Sequence, residues 1–170
     1  ECELELMPPE IAGDKRVTTR ARNRRRAPEH ILLDQAVDHE AMRVLNEGDR
    51  RGRPDIAHFL SLLIMDSLLV KRGAARLLLH TRNDELVRVR ADTRLPRSQP
   101  KFYQLAEDLL RQGRVPLEKP LMTIEPKRAL PDILAAGARR LQVLLDEGGE
   151  LARGPVFPAL AREHEDATLS

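Results

Sequence analysis

The spacing of apolar positions along the chain changes several times, and each change marks an element. ECELELMP alternates acidic and apolar residues, with Cys2, Leu4 and Leu6 on one face, and reads as a strand. Residues 13–28 lack any such period and read as a basic, turn-rich loop ending at Pro28. After the short run ILL, Asp34 precedes Ala36, Val37, Ala41, Met42, Val44 and Leu45 at helical spacing, with Gly48 as the stop. In PDIAHFLSLLIMDSLL, residues Ile56, Phe59, Leu60, Leu63, Ile64 and Leu68 cover most of a helical circumference, so this helix is expected to be buried on most sides. RLLLHT (76–81) and ELVRVR (85–90) are β-like and form a hairpin across Asn83 and Asp84.

Farther on, Pro96 and Pro100 hold the chain out of helix until Phe102, Leu105, Leu109 and Leu110 impose a helical period. LMTIE reads as a strand, ALPDILAAG as a helix stopped by Gly137, and LQVLL as a buried strand. A glycine-rich loop then leads to a short helix near Leu160, and ATLS opens a further strand. Strands alternating with helices indicate an α/β layer fold. A chain of 170 residues suits one domain spanning 1–170.

Charge sharpens this outline. The net charge is only +2, but residues 15–26 carry seven cations and no acid, and residues 50–53 add three more. Residues 71–101 hold nine bases against three acids, whereas the stretch from Asp146 onward is acidic. Nearly all the cations are arginines, whose planar fork suits phosphates and base edges. Three separate basic clusters point to a polyanionic partner, nucleic acid. Aromatics make up 2% of the chain, which argues against an aromatic platform for stacking bases. Cys2 is the sole cysteine, so a disulfide framework and a cysteine zinc site are excluded, and the five histidines show no metal-ligand spacing. No apolar run matches a membrane span, and a soluble protein of a reducing, cytoplasmic compartment is expected.

Two motifs stand out. In RRGRPDI, Arg50, Arg51 and Arg53 crowd the positive end of a helix dipole, a placement that makes sense if an anion visits. Pro54 suits the first helical position and Asp55 suits the dipole, but Arg53 cannot cap the helix by accepting its free amides. Asp55 can hold the Arg53 fork two residues away while leaving some donors free. In TRLPRSQPK, Arg94, Arg97 and Lys101 recur every three or four residues on a proline-stiffened loop suited to tracking phosphates. The acidic pairs Glu107-Asp108 and Asp146-Glu147 are sequence neighbours that need not share a face. No Walker, Rossmann or Ser-His-Asp pattern is present.

PEHILLDQAVDHEAM, RRGRPDIAHFLSLLIMDS, LLLHT and TRLPRSQPKF, in this order across most of residues 28–110, resemble the Nep/Emg-type small-subunit rRNA pseudouridine N1-methyltransferases of the SPOUT class. The resemblance implies a SPOUT-like α/β sheet flanked by helices, a hairpin-and-helix extension over 76–112 facing RNA, a homodimer, and S-adenosylmethionine as methyl donor. It implies that Arg53 contacts a flipped target nucleotide in an rRNA hairpin and that Asp55 holds Arg53. Arg94, Arg97 and Lys101 would grip RNA, although the family usually has arginine at the last of these; the crowding of cations at RRGRPDI adds Arg50 and Arg51 to the expected RNA-binding set. Leu144 and Leu145 would form one edge of the cofactor pocket. The family's knot lies beyond ATLS, so the chain is expected to lack it and not to turn over alone. The alternative reading is a non-catalytic rRNA-binding assembly factor using the same basic face. A DNA-groove reader is disfavoured because the helix after RRGRPDI is expected to be buried.

Overall fold

The structure, a computed structural model, describes residues 2–135, 140–141 and 168–169. The chain divides into two compact units, residues 1–127 and 128–170.

In the first unit the N-terminal segment runs extended between two neighbours. The Cys2 amide donates to the His80 carbonyl (2.8 Å), the Met7 amide to Ile31 (2.8 Å), and the Leu33 amide to Glu5 (3.1 Å). Its pairing stops at single bridges, Cys2 with Thr81 and Leu6 with Leu32, so the expected strand is an extended segment rather than a full ladder. Alternation also predicts outward acids, yet Glu5 is buried.

The loop expected over 13–28 is largely helical: after α1 (Pro9–Ala12) comes α2 (Lys15–Asn23). The Asp14 carboxylate caps α2 by accepting from the Arg16 amide (2.7 Å), and Val17 and Ala21, one turn apart, are buried. This apolar stripe is two residues wide, too narrow to register as a period among so many arginines. The Arg26 and Arg25 amides close the helix onto the carbonyls of Ala21 (3.0 Å) and Arg22 (2.9 Å). Arg25 takes φ 54°, a left-handed conformation in which glycine is the usual occupant and helix-stop signal.

α3 (Gln35–Met42) ends before Val44 and Leu45, and a 3-10 turn at Gly48–Arg50 leads to α4 (Pro54–Asp66) and α5 (Leu68–Lys71). β1 (Leu78–His80) and β2 (Leu86–Val89) form the expected hairpin, with Asp84 at φ 58° in its turn. α6 (Gln99–Gln112) starts earlier than expected, carrying Pro100 in its first turn, where a missing amide hydrogen costs nothing. β3 (Arg114–Val115) and β4 (Met122–Glu125, the expected LMTIE strand) complete an antiparallel sheet of order β1-β2-β4-β3. One apolar core joins this sheet to α4 and α6 through Leu4, Ala57, Met65, Val87, Phe102 and Leu109; a second joins α2 to the 31–33 segment through Val17, Ala21, Ile31 and Leu33.

α4 corrects the sequence reading. Ala57, His58, Ser61 and Met65 face inward, but Phe59 is 65% exposed, Leu63 61% and Leu68 67%, with Ile56, Leu60 and Ile64 also open. Apolar periodicity marks which faces need covering without saying what covers them. Burial of α4 therefore does not exclude groove binding, although its apolar face is unsuited to a polyanion.

In the second unit, α7 (Leu130–Ala135) falls within ALPDILAAG, and β5 (Arg140–Leu141) pairs in parallel with β6 (Thr168–Leu169), matching the strand expected at ATLS. Gly137, the rest of LQVLL with Leu144 and Leu145, the glycine-rich loop and the Leu160 helix lie outside the described residues. Among the described residues, no helix is long and apolar enough to cross a membrane.

Candidate nucleic-acid interface

The corner before α4 is built from backbone constraints. Gly52 sits at φ 67°, and a side-chain carbon there would lie 2.9 Å from Leu33 Cγ and 3.2 Å from the Gln35 amide nitrogen. Its carbonyl accepts from that amide (2.8 Å), and the Arg53 amide donates to the Glu3 carbonyl (3.1 Å). The chain then turns into α4 at Pro54, with Arg53 at the cap position and making no cap bond through its side chain.

The guanidinium instead turns onto Asp55. Nε donates to Oδ1 (3.0 Å) and Nη2 to Oδ2 (2.9 Å), a bidentate fork. Arg53 holds the Asp55 carboxyl below its ordinary range, more than partial burial raises it. Both side chains remain over two-fifths exposed, so the pair faces solvent. Among the described residues, Arg53 Nη1 has no bond, leaving part of the fork available.

α6 lies beside this corner. Tyr103 is buried, and Gln99 Nε2 donates to its hydroxyl (2.6 Å). Burial, reinforced by the charge of Asp34, pushes the phenol up to about 12; Asp55 and Arg24 also act on it. His58, one turn into α4, stacks on Phe102 of α6 (ring centroids 4.5 Å) and bonds through Nε2 to the Pro96 carbonyl (2.8 Å). Since that carbonyl only accepts, Nε2 carries the hydrogen. His58 thus ties RGRPDIAH to TRLPR, a role that a lone histidine in the sequence does not signal.

The predicted cations separate into different environments. Arg51 is not at the surface: Nε and Nη2 donate to the two Glu5 oxygens at 2.9 and 2.7 Å, and both side chains are nearly buried. It is a strut, which explains the buried Glu5. Arg50 is exposed beside Glu47 (3.7 Å). Arg94 and Lys101 are exposed, and Arg97 lies 3.8 Å from Asp66 at the far end of α4 from Arg53. Thirteen helical residues span about 20 Å, so Arg53 and Arg97 do not converge on one point. They can instead touch separated parts of an extended ligand.

The basic run of 15–26 also sorts itself. Arg20 pairs with Asp38 and donates to the Leu32 carbonyl (3.1 Å). Arg24 Nη1 donates to Glu107 Oε1 (2.7 Å), while Arg26 reaches Glu107 (3.3 Å) and Asp108 (2.8 Å). Glu107 is fully buried and also accepts from the Leu32 amide (3.2 Å). The acidic neighbours 107 and 108 therefore share an arginine and anchor α2 to α6.

A family model described as EMG1/NEP1 methyltransferase matches residues 1–159. The chain belongs to this family. It is 38% identical over 169 residues to the ribosomal RNA small subunit methyltransferase Nep1 of Thermococcus kodakarensis, covering 99% of this chain and 76% of that protein. It is 42% identical over 149 residues to Nep1 of Pyrobaculum arsenaticum, covering 87% and 67%. The fold matches the crystal structure of Archaeoglobus fulgidus Nep1 bound to S-adenosylhomocysteine with a TM-score of 0.82 and 32% identity, over all of this chain and 73% of that one. RRGRPDI and TRLPR, the motifs that single out Arg53 and the 94–101 loop, both lie within the EMG1/NEP1 match.

Proposed function

We propose that this chain belongs to an S-adenosylmethionine-dependent enzyme that methylates N1 of a pseudouridine in a small-subunit rRNA hairpin during ribosome biogenesis. Family membership supports methyl transfer to small-subunit rRNA. The observation that carries the site assignment is the bidentate Arg53–Asp55 pair, preorganised at a solvent-facing corner. Arg53 contacts the flipped nucleotide, Asp55 holds Arg53, and Arg50, Arg94, Arg97 and Lys101 meet RNA phosphates. Arg51 acts from below, by fixing the corner through Glu5.

S-adenosylmethionine, when bound, supplies an electrophilic methyl group; Leu144 and Leu145, the proposed edge of its pocket, lie outside the described residues. On the RNA side the requirements are orientation and charge stabilisation. N1 loses its proton ahead of its bond to carbon, which puts negative charge on the ring and the uracil carbonyls, and the electrons of the broken S–C bond would leave with the sulfur. The unengaged edge of the Arg53 guanidinium is suited to stabilise that charge, and holding the base extruded supplies alignment. Asp55, ionised and already engaged by Arg53, is a weak base, and Tyr103 stays protonated at neutral pH. The proton leaves to solvent.

The exposed apolar face of α4 and α5 supports a homodimer. Phe59, Leu63 and Leu69 line an open groove of about 640 Å³, and such patches mark association surfaces. The function is tested by incubating the protein with labelled S-adenosylmethionine and hairpins bearing uridine or pseudouridine, then digesting and weighing the nucleosides. One added methyl on pseudouridine alone supports the reading. Methylation of both, or of another base, overturns the specificity.

A further inference from the structure

The seven cations of residues 15–26 occupy two environments. Arg20, Arg24 and Arg26 turn inward onto Asp38, Glu107 and Asp108. Lys15, Arg16, Arg22 and Arg25 are exposed, and among the described residues they have no ion pair. We infer that this outer face of α2 is a second RNA-binding surface, which tracks phosphates of the strand flanking the nucleotide held at Arg53. This rests on the reading of the chain as an RNA methyltransferase and extends its footprint to an element outside the two motifs.

Stability of α2 accounts for Arg22, a cation in its last turn, but not for the other three. Lys15 and Arg16 stand in the first turn, where the helix dipole opposes cations. Arg25 occupies the left-handed position after the helix, where glycine sits without strain, and it projects outward between two arginines that point in. Two neighbouring acids are engaged elsewhere: Asp14 caps the helix, and Asp38 is buried against Arg20.

Position and chemistry favour RNA. Arg20 pairs with Asp38 of α3, whose first residue, Gln35, donates its amide to the Gly52 carbonyl (2.8 Å). Arg24 binds Glu107 of α6, the helix that stacks on α4 through Phe102 and His58, so α2 and the Arg53 corner are joined through α3 and α6. Arginine forks match phosphates. A membrane surface fits poorly, because Val17 and Ala21 are buried and α2 offers no apolar side chain to insert.

The test is the triple variant Arg16→Gln, Arg22→Gln, Arg25→Gln, whose exposed positions leave the core untouched. Binding is measured across about 50–200 mM salt with two RNAs, the minimal hairpin and the same hairpin with extended flanking stems. Each lost phosphate contact flattens the slope of log K against log salt by about 0.7–0.9, so the extended RNA should lose roughly 2 or more. The minimal hairpin should keep its slope, and Arg53→Ala should still weaken both RNAs. An unchanged slope on the extended RNA with Arg53→Ala still weakening both overturns the second surface and leaves the enzyme reading intact. An unchanged slope together with no weakening by Arg53→Ala overturns both readings. An unchanged RNA slope, with wild type but not the variant binding phosphatidylserine vesicles, replaces RNA by a membrane and also overturns the inference.

Discussion

At the corner before α4, two residues of separation bring a guanidinium and a carboxylate into a fork with both bonds near 3.0 Å. That contact is legible in RPD because the geometry is local: the arginine stands at the cap, proline fixes the turn, and the acid sits in the first turn. The strut from Arg51 to Glu5 spans 46 positions and is not legible, since nothing in either segment encodes their approach. Arg53 lowers the Asp55 pKa, so the pair's contribution is full above the ordinary carboxylate range and is lost only as pH falls through the lowered value. An NMR titration of Asp55 should place its midpoint below 3.8 in wild type and closer to that value in Arg53→Ala; equal midpoints would deny the coupling. At Gly52, alanine adds both left-handed strain and a 2.9 Å contact with Leu33 Cγ. Gly52→Ala should cost about 1–3 kcal/mol in urea unfolding, whereas an unchanged midpoint would mean that the corner is not held as described.

Among elements, the sheet hairpin, α4 and α6 follow from periods that the chain displays openly. α2 does not, because its two-residue buried stripe is outnumbered by cations and its stop is an arginine in place of glycine. Its anchoring is equally hidden, resting on Glu107 across more than eighty positions of sequence. Glu107→Ala leaves Arg24 and Arg26 short of a partner and the buried Leu32 amide without an acceptor. Removing one side of such a pair should destabilise by about 3–5 kcal/mol; a loss under about 1 kcal/mol would show that water already shares the site. Arg25→Gly should move the opposite way, stabilising by about 1 kcal/mol because glycine adopts the left-handed conformation freely. No gain would indicate that the arginine side chain contributes contacts of its own.

For the whole molecule, the sequence foretells an apolar α4 but assigns its outer face to the interior. Leu63→Glu in the 61% exposed face should weaken self-association at least tenfold by sedimentation while leaving the unfolding midpoint nearly unchanged. Lost stability without a change in oligomeric state would place the face against the protein's own chain. The proposed function places a pseudouridine of small-subunit rRNA at the Arg53 corner. Fluorescence anisotropy with hairpins carrying uridine or pseudouridine at the loop, each titrated with wild type and Arg53→Ala at one near-physiological salt concentration, tests it most directly. The pseudouridine hairpin should bind more tightly to wild type, and Arg53→Ala should lose about 1–3 kcal/mol together with that preference; equal binding of both hairpins by both proteins would rule the assignment out.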